Sequence, residues 1–437
     1  MNQITDSEHL LSALRADTRV AVTAPFIRDN EVLVGYAPNP EESYCVVVPL
    51  EKFIALCPSL YYEHMFTVAY HGLKRIWEFL DDRGLRPERH EDKALDINKI
   101  EDTKLMAYLL DPDLGRELEF GDYRVQEGLT LANLSARYLG EDYPYRNTDI
   151  HADRSTEVLA SALAYDARII HRLAAEMRGL MSEELHKLYR DLELPLMLVL
   201  DEMRRVGIGV DGAACAQERD RMEQEMSRLA QEITGGAEVD LRSDRDVYRF
   251  LVARGVQFLD PTVHQWGKVS NTILEETASH YPWVQKILGF REMGQDLSFL
   301  RHAAAGRDRV HPVWGQTRSA TSRICARNPA VQNVSRDLRH LFLPAAGHVL
   351  IKADYSQAQM RILAHLSRDA ELMRIFRDPN GDVHTETSKL LALNDRDVAK
   401  EINFGMCFGM TPVGLCRKIN DLKERRGRRT SSTWRRH

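Results

Sequence analysis

One carboxylate in the C-terminal third of the sequence directly follows an apolar run. Asp354 comes shortly after Val349-Leu350-Ile351, a run that predicts a buried β-strand. A carboxylate at the end of a strand is chemically able to bind a divalent cation. The alternative is structural, since an aspartate in this position also serves as the N-cap of a following helix.

Two cations and two aromatic rings recur at intervals of four residues. They are Arg396, Lys400, Phe404 and Phe408. Residues at this spacing share one helix face, which drifts by only about 40° per step. Gly405 and Gly409 predict breaks in the helix. Cations one turn apart can bind phosphate groups, although such a pair is usually only a solvated surface feature.

The charge of the chain is asymmetric, although its formal net charge is only −6. Residues 301–437 contain 25 Lys and Arg residues against 13 Asp and Glu residues, so the preceding 300 residues are strongly acidic. This distribution predicts that the C-terminal part contacts a polyanion, with solvated surface charge as the alternative.

Composition also narrows the class of protein. The six cysteines include no C-x-x-C pair, which argues against a disulfide framework or a zinc site. The first residues lack the basic and apolar regions of a signal peptide, and no run of 18 apolar residues occurs. We therefore expect a cytoplasmic protein with no membrane partner.

The first 180 or so residues alternate strand-like and helix-like patterns. Strands are predicted at 20–22, 32–34 and 45–48, and helices at 76–80, 104–110, 131–139 and 159–177. This alternation indicates an α/β domain with a mixed sheet.

From Leu185 the pattern becomes helical. Met222, Met226, Leu229 and Ile233 form a narrow apolar seam suited to an antiparallel helical hairpin, and Gly235-Gly236 ends that helix. A seam of this kind is more often plain core packing than a functional surface.

The two C-terminal motifs resemble motifs A and B of the family A (bacterial DNA polymerase I type) DNA polymerases. The strings that carry the resemblance are Asp354-Tyr355-Ser356-Gln357 with 361–367, and Arg-x₃-Lys-x₂-Asn-Phe-Gly-x₂-Phe-Gly from Arg396. The resemblance implies nucleotidyl transfer from a dNTP to a primer 3′-hydroxyl, in DNA replication or repair. Such transfer uses two Mg²⁺ ions held by two carboxylates. Asp354 matches the first carboxylate, and the Tyr355 carbonyl is a neighbouring ligand.

The resemblance also implies roles for the other motif residues. Arg396 and Lys400 would bind the triphosphate, with Lys400 also protonating the departing pyrophosphate. Phe404 and Phe408 would lie against the incoming nucleotide, His384 would be a further triphosphate contact, and Gln359 stands at the position that selects the sugar. Arg323, Gln332 and Asn333, in strings similar to Thr-Gly-Arg-Leu and Pro-Asn-Leu-Gln-Asn-Ile, would contact the minor groove of primer–template DNA.

The N-terminal part is similar to the 3′–5′ exonuclease-like domain of the same polymerases, which has a ribonuclease H-like fold. Its metal ligands are largely missing: Val22 is followed by Thr23-Ala24-Pro25, and the second motif reads His71-Gly72-Leu73-Lys74-Arg75. Only Asp166 remains of the third motif, with Ala162 in place of a tyrosine. We therefore expect an inactive exonuclease domain.

Several residues depart from the polymerase pattern. Gln359 replaces a glutamate that excludes a 2′-hydroxyl, and Phe408 replaces a tyrosine. The resemblance is expected to end after Ile419. The remaining Arg- and Ser/Thr-rich residues are typical either of an out-of-frame read or of a basic nucleic-acid-binding arm. No later acid in the sequence matches the second metal-binding carboxylate, so we expect a truncated polymerase.

The predicted organisation is an α/β exonuclease-like domain followed by an incomplete α+β polymerase hand. The boundaries are a degenerate exonuclease-like domain at 1–182, the thumb at 183–310, the first part of the palm at 311–370, partial fingers at 371–419 and a basic tail at 420–437. The expected partners are primer–template DNA, dNTPs and a second polypeptide that completes the palm. The alternative functions are a non-catalytic primer–template binding protein and one half of a split polymerase.

Overall fold

The chain folds into two compact units, Met1–Val349 and Leu350–His437. The computed structural model describes residues 4–15, 19–61, 67–86, 96–115, 118–120, 123–125, 127–145, 154–258, 262–304, 308–391, 395–407, 409–412 and 414–415. The boundary between the units falls inside the predicted palm segment 311–370, and the predicted domain boundaries stay predictions. In the described ranges, no helix combines the length and apolar character that crossing a membrane requires.

A mixed sheet forms the base of the first unit. Among the described residues its strands are β1 Ile4–Thr5, β2 Val20–Val22, β3 Phe26–Arg28, β4 Glu31–Ala37, β5 Tyr44–Pro49, β6 Val68–Tyr70 and β7 Ile100–Asp102. The spatial order is β1-β5-β4-β2-β6-β7, with β3 paired to β4. Strands β2, β6 and β7 are parallel, whereas β4 is antiparallel to β2, β3 and β5. The predicted strands and the mixed sheet are confirmed.

Helices pack against this sheet because its strands are almost continuously apolar. They are α1 Ser7–Arg15, α2 Leu50–Tyr61, α3 Leu73–Asp81, α4 Thr103–Leu110, α5 Leu131–Leu134 and α6 Thr156–Leu180. Helix α5 continues as a π-helical turn at Ser135–Leu139, within the helical stretch predicted at 131–139. A short hairpin, β8 Leu118–Phe120 and β9 Tyr123–Val125, follows α4.

The rest of the first unit is mainly helical. It contains α7 Glu183–Leu188, α8 Leu194–Val206, α9 Gly212–Thr234, α10 Asp244–Ala253, α11 Thr262–Trp266, α12 Asn271–His280 and α13 Gln285–Ala303. The carboxylate of Asp201 on α8 is fully buried and ion-paired at 2.6 Å with Arg86, which also binds Asp81 of α3 at 2.8 Å. Because these buried charges bind one another, they join α8 to the sheet domain.

The predicted antiparallel helical hairpin is confirmed as α9 against α13. Met222 and Met226 pack near Leu297 and Leu300, at the C-terminal end of α13. Ile233, at the other end of α9, shares a core with Ile287 and Leu288 at the start of α13. Helix α9 ends at Gly235, whose φ of 66° is left-handed and therefore favours glycine, as Gly235-Gly236 predicted.

Two small two-stranded sheets complete the first unit. They are β10 Ile208–Gly209 with β11 Arg309–Val310, and β12 Val313–Gly315 with β13 Cys325–Arg327. The β12–β13 hairpin contacts α4 of the N-terminal domain, where the Tyr108 hydroxyl donates to the Ser319 carbonyl at 2.6 Å. Gln316 Nε2 in the same hairpin donates to Glu193 Oε2 at 2.7 Å.

The second unit is helical in its described part. Its helices are α14 Ala358–Ser367, α15 Ala370–Arg377, α16 Val383–Leu390 and α17 Arg396–Cys407. Met360, Ile375 and Val383 form its small core. Gly405 lies inside α17, so the predicted break at this glycine is wrong. The helix tolerates Gly405 because a glycine interior to a helix costs only about 1 kcal/mol relative to alanine.

The predicted strand at Val349-Leu350-Ile351 is wrong. These residues are irregular and are 78%, 60% and 86% exposed, respectively. A strand is stable only when a neighbouring strand satisfies its backbone hydrogen bonds, and no described strand pairs with this run. The apolar composition of this run therefore suits a strand, but the described residues provide no sheet that it could join.

Candidate functional site

Helix α17 presents the two predicted phosphate-binding cations on one face. Arg396 is in its first turn, and its Nη2 donates to Asp382 Oδ2 at 2.6 Å. This hydrogen bond raises the pKa of the Arg396 guanidinium and fixes its position at the start of the helix. Lys400, one turn later, is exposed, and its Nζ lies 6.0 Å from the centre of the Phe404 ring. Phe408, predicted to continue this face, lies outside the described residues.

A buried histidine supports the same face from α16. His384 is 2% exposed, and its ring centre lies 5.5 Å from that of Phe404. Asn403 Nδ2 and His384 Nδ1 are 3.0 Å apart, and the Thr387 hydroxyl donates to Asn403 Oδ1 at 3.1 Å. Burial lowers the pKa of His384, so the ring is neutral at pH 7. The structure thus brings His384 and Phe404 together, with Arg396 and Lys400 on the adjoining face.

Two polar residues contribute to this arrangement without having been predicted to do so. Asp382 caps α16 by accepting from the Thr385 amide at 2.7 Å, in addition to holding Arg396. Asn403 on α17 connects that helix to α16, because its side-chain amide binds both His384 and Thr387. An aspartate just before a helix indicates capping, but its pairing with Arg396 depends on how two helices pack and has no signal in the sequence.

The segment around Asp354 is irregular and open. Asp354 and Tyr355 are both exposed, Tyr355 by 89%. The turn after them is held by Gln357, whose φ of 52° is left-handed and whose Oε1 accepts from the Val383 amide at 2.9 Å. Helix α14 then begins, with Gln359 exposed in its first turn. The alternative capping role of Asp354 is not observed, because Gln357 is the residue at the N-cap of α14.

The donors around Asp354 do not by themselves fit a pair of Mg²⁺ ions. Two ions 3.5–4 Å apart need several carboxylate oxygens between them. Asp354 offers one exposed carboxylate, and the described residues contain no group of three or more His, Cys, Asp or Glu side chains placed to hold a metal. The described residues alone therefore do not form a two-metal site.

The predicted DNA-contacting residues lie beside the β12–β13 hairpin in the first unit. Arg323 and Asn333 are exposed. The Gln332 side chain accepts from the Ala326 amide at 2.7 Å and donates to the Ile324 carbonyl at 2.6 Å. Gln332 therefore fixes the backbone next to Arg323, and its predicted contact with DNA stays a prediction.

Asp166, the one carboxylate that the exonuclease resemblance leaves in place, is buried and held by a tyrosine. The Tyr143 hydroxyl donates to Asp166 Oδ1, and burial raises the pKa of Asp166 to about 7. Thr23, at the predicted place of the first acidic pair, is buried and accepts from the Gly35 amide at 3.0 Å. Both side chains make the internal hydrogen bonds expected of packing residues.

Comparison with known proteins gives one consistent family. A sequence model described as DNA polymerase family A matches residues 213–435, which extends beyond Ile419, where the resemblance was expected to end. DNA polymerase I, thermostable, of Thermus aquaticus is 31% identical over 350 residues, which are 73% of this chain and 38% of that protein. DNA polymerase I of Caldicellulosiruptor bescii is 28% identical over 355 residues, which are 76% of this chain and 39% of that protein.

A solved structure shows the same fold. The POL domain of Pol1 from M. smegmatis, in complex with DNA primer-template and dNTP, superposes with a TM-score of 0.66 at 21% identity. The match covers 95% of this chain and 72% of that one. The mixed α/β sheet and the helical region thus form a polymerase I type architecture, and the chain belongs to the family A DNA polymerases. It spans about two-fifths of the length of the relatives named above.

Proposed function

We propose that this chain provides the nucleotide- and primer-binding parts of a template-directed DNA polymerase. The observation that carries the proposal is the packing of α16 and α17, which places His384 and Phe404 in contact beside Arg396 and Lys400. Phosphoryl transfer depends mostly on positioning the triphosphate and neutralising its charge. Two cations beside an aromatic ring offer the corresponding contacts for the phosphates and for the sugar and base of a dNTP.

Each residue of this face has a distinct part. Arg396 is oriented by Asp382, so its remaining N–H donors are available in a fixed fork for phosphate oxygens. Lys400 is an exposed point charge one turn away, able to move to the phosphates and to protonate the leaving pyrophosphate. Neutral His384 donates one hydrogen bond to the triphosphate and is held by Asn403.

Primer–template DNA is proposed to contact the first unit near the β12–β13 hairpin. Arg323 and Asn333 are exposed there, on backbone fixed by Gln332. Acceptors common to all base pairs line the minor groove, so these donors suit a reader that ignores sequence. The structural neighbour from M. smegmatis was solved with DNA primer-template and dNTP, which supports both proposed ligands.

We propose that catalysis also requires palm strands beyond those described, carrying the second metal-binding carboxylate. The exposed run Val349-Leu350-Ile351 is an apolar strand sequence without a described partner strand. Pairing with further strands would bury it and place Asp354 at the end of a strand, as the motif requires. With those strands in place, Asp354 and the Tyr355 carbonyl would complete an Mg²⁺ site.

An exonuclease function is not proposed. Asp166 is bound by Tyr143, and the stretches Thr23-Ala24-Pro25 and 71–75 provide no acid for the first two motifs. We expect purified protein to release no 3′-terminal nucleotide from labelled single-stranded DNA with Mg²⁺ or Mn²⁺. Release that is abolished in Asp166→Ala would contradict this assignment.

The second candidate function is non-catalytic binding of primed DNA. The excess of basic residues after residue 300 favours it, because phosphate contacts alone support binding. Under either function, primed DNA should bind in a gel shift with an affinity that falls steeply between 50 and 200 mM salt. The two functions differ in dNTP binding, which only the polymerase requires.

Binding of a dNTP tests the proposed face directly. We expect Arg396→Gln and Lys400→Gln each to weaken dNTP binding by about tenfold or more, since each removes a charge-assisted phosphate contact. Arg374→Gln is the matched control, because Arg374 is an exposed arginine of the same unit, paired with Glu371. Equal dNTP binding in Arg396→Gln, Lys400→Gln and the control would contradict the polymerase proposal and leave the DNA-binding one.

A further inference from the structure

A cavity in the first unit lies at the carboxyl ends of β6 and β7. Its volume is about 340 Å³, within the range of known ligand pockets. The turns after the two strands form one wall, and the β12–β13 hairpin forms another. In open α/β sheets, ligands bind outside the carboxyl ends of the strands.

Cations predominate among the charged side chains that line the cavity. Five basic side chains contribute to its wall: Lys74, Arg75, Lys104, Arg318 and Arg327. They come from α3, α4 and the β12–β13 hairpin, so three parts of the sequence converge here. No single stretch of the sequence contains this cluster, and none of the motifs discussed above predicts it.

Two carboxylates face these cations, and both are already engaged. Asp102 accepts from the Gly72 amide at 3.0 Å and from the Leu73 amide at 2.7 Å, and it also caps α4. Glu78 pairs with Lys74 at 2.6 Å. Among the described residues at the cavity, positive charge therefore exceeds negative charge.

The cations also disfavour one another. Burial, together with the charges of the neighbouring Arg75, Arg318 and Lys74, lowers the pKa of Lys104 to about 8. Burial followed by the charge of Arg75 likewise lowers the pKa of Arg318 and of Arg327. An anion in the cavity would relieve this repulsion, because it would stabilise every charged form at once.

We propose that this cavity binds a phosphate group, from a nucleotide or from a DNA strand. Arginine forks and lysine ammonium groups are the side chains that recognise phosphate oxygens. Asp102 already accepts backbone N–H groups at the N-termini of α3 and α4. The basic side chains are therefore the groups that donate hydrogen bonds to the phosphate. This cavity is a different site from the face of α17 with Arg396 and Lys400, which belongs to the other unit.

The same observations explain why the cavity suits an anion and not a metal. A divalent cation needs several oxygen ligands, whereas Asp102 is the one carboxylate among the described residues that line this cavity, and its oxygens accept backbone amides. His71, also in the wall, has its pKa lowered to about 3 by burial and so is neutral at pH 7. The domain resembling a metal-dependent nuclease thus carries a phosphate pocket.

Calorimetric titration of the full chain tests the proposal, with inorganic phosphate, a deoxynucleoside monophosphate and a short 5′-phosphorylated oligonucleotide as probes. We expect Lys104→Gln and Arg318→Gln each to weaken binding by about tenfold or more. Lys52→Gln is the control, since Lys52 is an exposed lysine of the same domain. The tightest probe identifies the source of the phosphate, and the unphosphorylated deoxynucleoside should not bind.

The pH dependence gives a second readout. Lys104 loses its proton as pH rises through about 8, so binding should weaken between pH 7 and 9.5, while a phosphate monoester stays a dianion. Burial also lowers the pKa of the neighbouring Lys74. Lys104→Arg keeps its charge and should retain more binding at pH 9.5 than the unmodified protein.

Two results would overturn the proposal. One is equal phosphate binding in Lys104→Gln, Arg318→Gln and Lys52→Gln, with melting temperatures showing that all three fold. The other is binding that falls in Arg396→Gln and persists in Lys104→Gln, because it would place the phosphate in the second unit.

Discussion

Individual side chains in this chain change roles through their surroundings. Asp166 is predicted to remain from a metal-binding motif, yet it lies buried and accepts a hydrogen bond from a tyrosine hydroxyl. Gln332 is predicted to contact DNA, yet both ends of its amide bind the neighbouring backbone. The type of residue therefore predicts its chemistry, while its partners decide which part of that chemistry is available.

Asp166 should make stability depend on pH. Its pKa is raised to about 7 by burial, against about 3.9 for an unfolded aspartate, so the native state binds more protons between these values. Unfolding free energy should therefore fall as pH rises from about 4 to 7. Asp166→Asn keeps an acceptor for Tyr143 and removes the titration. Between pH 5 and 8, its unfolding free energy should therefore rise by about 2 kcal/mol relative to that of the unmodified protein.

Urea unfolding at the two pH values measures this difference. Equal losses of stability between pH 5 and 8 in the unmodified protein and in Asp166→Asn would contradict this role of the buried carboxyl group. Tyr143→Phe is a useful companion, because loss of the hydrogen bond that lowers the pKa of Asp166 should raise that pKa further.

Gln359 predicts weak selection against ribonucleotides once DNA synthesis is reconstituted. It is exposed at the start of α14, and as a neutral amide it is held less firmly than a carboxylate would be. The sequence also has Phe408 in place of the tyrosine whose hydroxyl could tether it. Incorporation of dNTP and rNTP should be compared in the completed enzyme and in Gln359→Glu, which we expect to be more selective. Equal selectivity would show that a glutamine of similar size excludes the 2′-hydroxyl as well.

At the scale of elements, close packing of α6 on the sheet depends on one glycine. A Cβ at Gly35 in β4 would lie 2.0 Å from the Leu163 carbonyl oxygen of α6, so backbone would have to move. We expect Gly35→Ala to destabilise the protein by about 2 kcal/mol or more, through overpacking. Gly179→Ala is the matched control in α6 itself, where nothing lies within 4 Å of the new Cβ.

The control should act in the opposite direction. Alanine is favoured over glycine inside a helix by about 0.5–1 kcal/mol, so Gly179→Ala should raise the melting temperature slightly while Gly35→Ala lowers it. Melting temperatures that change equally in the two variants would contradict the close approach at Gly35.

The elements that sequence periodicity predicted well are those that find a packing partner among the described elements. Strands β2, β4 and β5 and the apolar seam of α9 occur where apolar spacing placed them. Val349-Leu350-Ile351 has an equally strong strand composition but no described partner strand, and it is irregular. The basic cavity was not predicted either, since Lys74, Lys104 and Arg318 meet only through tertiary packing.

At the scale of the whole molecule, the residues proposed to bind DNA, phosphate, dNTP and metal lie in two units. The first unit carries Arg323 and the cationic cavity, and the second carries Asp354, Arg396 and Lys400. Family membership supports DNA synthesis, while Asp354 is the one carboxylate that the sequence predicts as a metal ligand of the polymerase site. The central claim is accordingly that these residues bind the substrates and require further palm strands for the reaction.

Primer extension by the 437-residue chain, alone and completed by fusion or co-expression with a palm segment bearing the second carboxylate, tests this claim most directly. Loss of one ligand of a two-metal site removes several kcal/mol of transition-state stabilisation, and each 1.4 kcal/mol is about tenfold in rate. The isolated chain should therefore extend primers no faster than its Asp354→Ala variant. The completed enzyme should extend them at least about a thousandfold faster and lose this activity in Asp354→Ala. Templated extension by the isolated chain that disappears in Asp354→Ala would contradict the account.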